Sequence, residues 1–178
     1  NSVLMLHMVR YFRMPNDFGM TCVLSQILHG LLIKTAAEEW RRNMPRTMGA
    51  INWMLNDLWP GVTNSTIDYF CKPKGAHYLH RQCMNPVLVS GRIDPRRGTA
   101  EIHLTCDYHP RRRGILSWFL IHVDGRALAA GEEKVELPQH KTQLIRTLDC
   151  QAQLEEFDPG NLLLFLEITD EQGERVSD

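Results

Sequence analysis

The stretch Gly49-Ala50-Ile51-Asn52-Trp53-Met54-Leu55-Asn56-Asp57-Leu58-Trp59-Pro60 sets a short apolar run against a polar, aromatic loop. Turn residues stand on both sides of Ile51–Leu55, so the run reads as a short buried strand. Before it, Val23, Leu24, Ile27, Leu28, Leu31, Leu32, Ala36, Ala37 and Trp40 recur at three- and four-residue spacing. That spacing predicts an amphipathic helix from Thr21 to about Asn43, with Asp17 or Thr21 as its cap. Arg41 and Arg42 suit the negative end of its dipole, and Pro45 stops it. A long helix feeding a buried strand is the pattern of an α/β domain.

Downstream, Asn56 to Pro73 carries Asn, Asp, Pro and Gly at loop frequency. Helical spacing returns from Lys74 to Met84, and Asn85-Pro86 ends it because the residue before proline avoids the helical region. From Val87 the pattern becomes short alternating segments: Val87–Ser90, Ala100–Cys106, Ile115–Val123, Val135–Leu137, Thr142–Leu148 and Leu162–Ile168. Six such segments without a helical pattern predict an antiparallel sandwich. In the second, Ile102, Leu104 and Cys106 alternate with Glu101, His103 and Thr105, the mark of a sheet with one wet face. After the turn at Asp170–Gly173 no final strand is evident, so an unpaired edge is expected. The domain organisation read from the sequence is therefore 1–85 and 86–178.

Composition narrows the partners. The 178 residues carry 20 basic and 21 acidic side chains, a formal net charge of -1, so no long-range field gathers nucleic acid or an anionic membrane. The apolar run from Cys22 to Ile33 is shorter than the roughly 20 residues a bilayer span requires and includes Gln26 and His29. Asn1–Met8 is apolar but lacks a cationic leader and a small-residue cleavage site, and reads as the interior of a longer polypeptide. Cys22, Cys71, Cys83, Cys106 and Cys150 are odd in number and never spaced as CxxC, which argues against a disulfide framework or a zinc knuckle and for small buried apolar groups. His77 and His80 lie three apart on a helix without a third ligand at metal-binding spacing. The basic cluster Arg111-Arg112-Arg113 after His109-Pro110 reads as a solvated hairpin turn. Asn64-Ser65-Thr66 matches a glycosylation sequon, which matters only in a eukaryotic secretory protein. No phosphate loop and no GxSxG elbow is present, and Ser25, Ser65 and Ser117 have no evident base partner.

In the opening stretch, two Trp rings beside Asn and Asp suit a sugar, whose C–H faces stack on an aromatic ring while its hydroxyls need hydrogen-bond partners. The same residues also allow a plainer reading, with Trp53 in the core and Asn56–Asp57 as a turn bonding its own backbone. Trp59 fits loop core.

Glu39-Trp40-Arg41-Arg42, Gly49-Ala50 through Trp53, Asn56-Asp57, Trp59-Pro60, Ser65-Thr66-Ile67-Asp68-Tyr69 and Pro73-Lys74-Gly75-Ala76-His77-Tyr78 together resemble the β-mannosidases of glycoside hydrolase family 2. Tyr11-Phe12, Pro15, Ser25-Gln26 and Pro86-Val87-Leu88-Val89 fit the same pattern. The resemblance is specific from about Tyr11 to Ser90 and architectural after it. It departs from the family at Met54, where Gln is usual, and at Asn64, where a second Trp is expected, and the missing aromatic wall bears on sugar preference.

The resemblance implies the C-terminal part of a (β/α)8 TIM barrel over residues 1–85, followed by an immunoglobulin-like sandwich over 86–178. It implies a parent enzyme that removes terminal non-reducing β-mannosyl residues from oligosaccharides by a retaining mechanism without a cofactor. Its two catalytic glutamates stand upstream of this chain, since Glu38 and Glu39 share a solvated helix face with Arg41 and Arg42. Substrate-binding residues are then Trp53 as stacking platform, with Asn56 and Asp57 either bonding the sugar or bracing the loop. The implied partners are the β-mannosyl substrate and the upstream domains of the same polypeptide. A β-galactosidase or β-glucuronidase of the same family is the near alternative. The distant one is a non-catalytic binding module, which needs exposed aromatics on one sheet face, whereas the neighbours Trp118 and Phe119 point to opposite faces. One or two barrel units cannot close a barrel, so the isolated chain is expected to self-associate.

Overall fold

The computed structural model describes residues 2–108 and 113–178; His109, Pro110, Arg111 and Arg112 of the basic cluster lie outside them. The chain divides into two compact units. One comprises the chain up to Glu39 together with Gly49–Met84, and the other comprises Trp40–Met48 and Asn85–Asp178.

The first unit holds helices α1 (Ser2–Tyr11), most of α2 (Phe18–Arg42) and α3 (Gly75–Cys83). Asp17 caps α2, its Oδ1 accepting from the Met20 amide at 2.7 Å. The helix starts three residues earlier than periodicity indicated, because a cap is set by one side chain and not by the apolar stripe. At this length α2 is also apolar enough to cross a bilayer, with a mean hydropathy of 1.3 over its most apolar window, unlike the shorter run read from sequence. Three of its polar side chains are engaged within the unit. Gln26 Oε1 accepts from the Gly75 amide and so caps α3, and Lys34 pairs with Glu38 one turn on. Glu38 is thereby buried, not solvated as the sequence indicated. Gly30 is where α2 and α3 meet: a methyl group there would stand 2.4 Å from Leu79 Cδ1 and 3.2 Å from Ala76 Cα.

The strand expected at Ile51–Leu55 is not formed. Ile51 is 97% exposed, and among the described residues the segment ends in hydrogen bonds from Thr66 and Ile67 to the Leu55 carbonyl and an isolated parallel bridge of Asn56 with Ile67, itself bridged to Pro73. A buried parallel strand needs ladders on its edges and helices on its faces. Among the described residues of this unit no strand supplies them, so the (β/α)8 barrel expected over 1–85 is not formed within this chain.

The second unit is an antiparallel sandwich of seven strands among the described residues. One sheet has the order β1 (Val87–Asp94), β2 (Thr99–Cys106), β5 (Lys141–Asp149). The other has the order β4 (Ala127–Glu136), β3 (Arg113–His122), β6 (Leu162–Asp170), β7 (Arg175–Ser177). Alternate residues of both sheets make the core: Val87 and Val89; Ala100, Ile102, Leu104 and Cys106; Leu116 and Leu120; and Ile168. Trp118 packs against this core over Gly131, its cross-strand partner, while Phe119 faces outward.

Three features differ from the sequence reading. A final strand exists: β7 pairs with β6, and Val89 N and Asn85 Nδ2 donate to Ser177 Oγ and the Val176 carbonyl, each at 3.0 Å. Three residues with one apolar side chain give no periodicity to detect. The six-residue helix α4 (Gln151–Glu156) follows β5, too short to carry a stripe. Thr105, expected on the wet face, is fully buried, because it shares a hydrogen bond with Thr142 (2.6 Å) and Thr142 donates to the Arg41 carbonyl at the end of α2 (2.7 Å). Arg41 itself reaches the Asn85 carbonyl and the Asp107 carboxylate.

All five cysteines are free; Cys83, Cys106 and Cys150 are buried, and burial pushes the Cys106 and Cys150 thiols up, which disfavours the reactive thiolate. Cys22 is half-buried and Cys71 exposed.

Gly30→Ala tests the α2–α3 contact. Alanine gains about 1 kcal/mol of helix propensity, whereas overpacking costs about 1–3 kcal/mol. A net loss is expected in urea unfolding, recovered in part by Leu79→Ala; a stabilised Gly30→Ala would show that the helices are looser than described.

Candidate functional site

Trp53, Asn56 and Asp57 sit on the irregular segment between α2 and α3. Trp53 is 79% exposed, its peptide bond to Met54 is cis, and it is not the core residue that the plainer reading allowed. Trp59 is also exposed, contrary to its reading as loop core. Asn56 is exposed and its amide donates to the Asp57 carbonyl at 3.3 Å, so the pair does form a local turn contact.

Asp57 is different: only 5% of it is exposed. Its Oδ2 lies 2.8 Å from Lys74 Nζ, and its Oδ1 accepts from the hydroxyls of Thr63 and Ser65. The ammonium also donates to Ser65 Oγ at 2.8 Å and to Thr63 Oγ1 at 3.3 Å. Burial alone would push the Asp57 carboxyl up. The hydrogen bonds from Lys74, Ser65 and Thr63, with the nearby ammonium charge, outweigh it and hold the pKa down at about 2. Asp57 is thus ionised and fully occupied within the protein at neutral pH.

Main-chain bonds complete the same knot. Asp57 N donates to the Ile67 carbonyl, Thr66 N and Ile67 N to the Leu55 carbonyl, and Lys74 N to the Thr66 carbonyl, at 2.9–3.1 Å. Sequence reasoning singled out Asp57 but missed Lys74, Thr63 and Ser65 as its partners. Ser65 lacked a base partner in sequence because its partners are a carboxylate eight residues before it and a lysine nine residues after. The one available signal was a lysine at the first turn of a helix, where a cation is disfavoured by the dipole and needs another reason to be there.

Behind this knot lie His29 on α2 and His80 on α3. Burial lowers the pKa of His29, helped by Lys74 and His80, and burial and His77 lower that of His80. Among the described residues no group of three or more His, Cys, Asp or Glu is placed to hold a metal. A separate pocket at the α1–α2 turn, lined by Phe12, Arg13, Met14, Asp17 and Met20, involves none of these side chains.

On the sandwich, Phe119 of β3 pairs directly with Phe165 of β6 on the outer face of the four-stranded sheet, 45% and 53% exposed. Ser117, in the next row of that face, lies between Glu132 of β4 and Glu167 of β6. Sequence reasoning looked for adjacent aromatics and missed Phe165, which register alone brings beside Phe119.

Residues 98–178 match the family described as Mannosidase Ig/CBM-like domain. The beta-mannosidase of Bos taurus is 34% identical over 101 residues, which cover 49% of this chain and 12% of that protein. Beta-mannosidase B of Aspergillus terreus is 25% identical over 157 residues, covering 78% of this chain and 19% of that protein. Among solved structures, the β-D-mannosidase from Dictyoglomus thermophilum superposes with a TM-score of 0.87 at 23% identity, over 99% of this chain and 21% of its own. The exo-chitosanase of Amycolatopsis orientalis gives 0.74 at 17%, over 91% and 19%. The chain therefore spans about a fifth or less of the length of these relatives.

The lowered histidines predict a pH dependence. A folded pKa below the unfolded one means that the unfolded chain binds more protons, so this stabilisation is complete above the ordinary histidine value of 6.5 and is lost as pH falls below it. The urea midpoint of the first unit is expected to drop between pH 7.5 and 5.5, and to drop less in His29→Gln; an unchanged wild-type midpoint would count against buried neutral histidines.

Proposed function

We propose that this chain, which resembles the family 2 β-mannosidases from its helices through its sandwich, is the C-terminal segment of a retaining exo-β-mannosidase. Residues 1–85 then supply the closing helices and one substrate loop of a TIM barrel, and residues 86–178 are its immunoglobulin-like domain. Both catalytic glutamates belong to the rest of the polypeptide. One observation carries the reading: the loop that resembles the family's substrate loop buries Asp57 as an internal brace and leaves Trp53 and Asn56 exposed. An indole and a carboxamide turned to solvent on a tied loop suit a mannosyl ring, one by stacking and the other by hydrogen bonding. On this reading Asp57 braces the loop instead of touching sugar. The substrate is a β-linked mannosyl oligosaccharide; neither a cofactor, a nucleic acid nor a membrane takes part.

Nitrophenol release from a panel of β-glycosides tests the proposal on the full-length gene product and on this chain. Turnover of the mannoside by the full-length protein and none by the chain is the expected result. Preference for a galactoside or glucuronide would move the protein elsewhere in the family, and turnover by the chain itself would overturn the placement of the carboxylates. Trp53→Ala in the full-length enzyme is expected to lower kcat/KM for the mannoside roughly tenfold, about 1.4 kcal/mol of binding energy.

The Phe119–Phe165 pair favours a second reading, in which the sandwich binds glycan or a protein partner without catalysis. If that role dominates, Phe119→Ser with Phe165→Ser abolishes oligosaccharide binding in calorimetry while Trp53→Ala leaves it intact; the opposite pattern supports the loop.

A further inference from the structure

We propose that Lys74 is a positioning residue, fixing the conformation in which the loop presents Trp53 and Asn56. This rests on the reading of that loop as a sugar-binding surface and adds the residue that sets its shape.

An ammonium has three donors, and Lys74 directs them to three side chains: the Asp57 carboxylate at 2.8 Å, Ser65 Oγ at 2.8 Å and Thr63 Oγ1 at 3.3 Å. The lysine therefore closes the loop on itself, joining the segment just after Trp53 to the segment that returns toward α3. Its own position is fixed twice. Its amide bonds to the Thr66 carbonyl at 2.9 Å, and the following residue, Gly75, bonds through its amide to Gln26 of α2. Rigidity thus passes from α2 to the start of α3, through the lysine, to residues 55–57. Trp53 lies two residues before Leu55, whose carbonyl accepts both the Thr66 and Ile67 amides. Two residues span at most about 7 Å, so the indole is tied within a short radius of the knot. No hydroxyl can replace the lysine here, because the buried carboxylate needs a countercharge as well as a donor.

Amide hydrogen exchange in this chain separates the roles. In Lys74→Met the amides of Asp57, Thr66 and Ile67 are expected to exchange at least tenfold faster while those of the sandwich strand β2 stay unchanged, and Lys74→Arg, which keeps charge and donors, is expected to restore much of the protection. Unchanged protection in Lys74→Met would overturn the proposal. In the full-length gene product, KM for nitrophenyl β-mannoside is expected to rise roughly tenfold with Lys74→Met and to recover with Lys74→Arg. A loosened loop with unaltered mannoside kinetics would reduce the lysine to a structural role. If the wild-type protein does not process or bind the mannoside, the sugar reading fails, and exchange alone decides whether Lys74 fixes the loop. Should Lys74→Met not fold, Thr63→Val removes one arm of the knot and is read the same way.

Discussion

A carboxylate removed from water stays charged only if other groups replace its hydration, and Asp57 is removed almost completely. That constraint orders the whole irregular segment of the first unit. It requires a cation within reach, which Lys74 supplies from the start of α3, and hydroxyls for the remaining lone pairs, which Thr63 and Ser65 supply from the returning arm of the loop. With all four groups facing inward, the neighbouring large side chains face outward. Trp53, Leu58 and Trp59 are exposed around it. An ion pair of this kind contributes little net stability compared with a well-packed apolar replacement, yet removing one partner is costly. On the proposal made above, its service is to specify one loop conformation.

The second unit depends on a different device. Its sheets are held by the alternation that brings Ile102, Leu104, Leu116 and Ile168 into one core, a pattern open to any sequence with the right period. What is particular to this chain is the way its edges are fastened. Arg41 and Thr142 tie the Trp40–Met48 segment to the three-stranded sheet, and Asn85 and Ser177 tie β1 to β7. Most of these bonds end on backbone carbonyls or amides, so they fix chain path with little demand on side-chain identity. The solved structures with the same fold share only 17–23% of its sequence.

The resemblance rests on residues whose physical role differs from what each suggested alone. Asp57 reads as a sugar ligand or a brace from sequence, and the structure occupies its carboxylate internally. Ser65 and Lys74 belong to the same resemblance but attracted no role, because their meaning lies in a contact between positions 57, 65 and 74 that neither the helical nor the strand period connects. The strand expected at Ile51–Leu55 failed for a related reason. An apolar run specifies a strand only when partners exist to pair with it, and the described residues supply a single bridge there.

Local physics, legible in the residues themselves, determined the long helix with Arg41 and Arg42 in its last turn, the alternating strands from Val87 and the opposite facing of Trp118 and Phe119. Each depends on neighbours within a few positions, where period and caps act. Tertiary structure alone decided that Thr105 is buried, that Arg175–Ser177 closes a sheet edge, that Phe165 stands beside Phe119 and that Asp57 is held by Lys74. Those outcomes depend on which distant segments come within hydrogen-bonding distance, and a one-dimensional pattern carries no record of that distance.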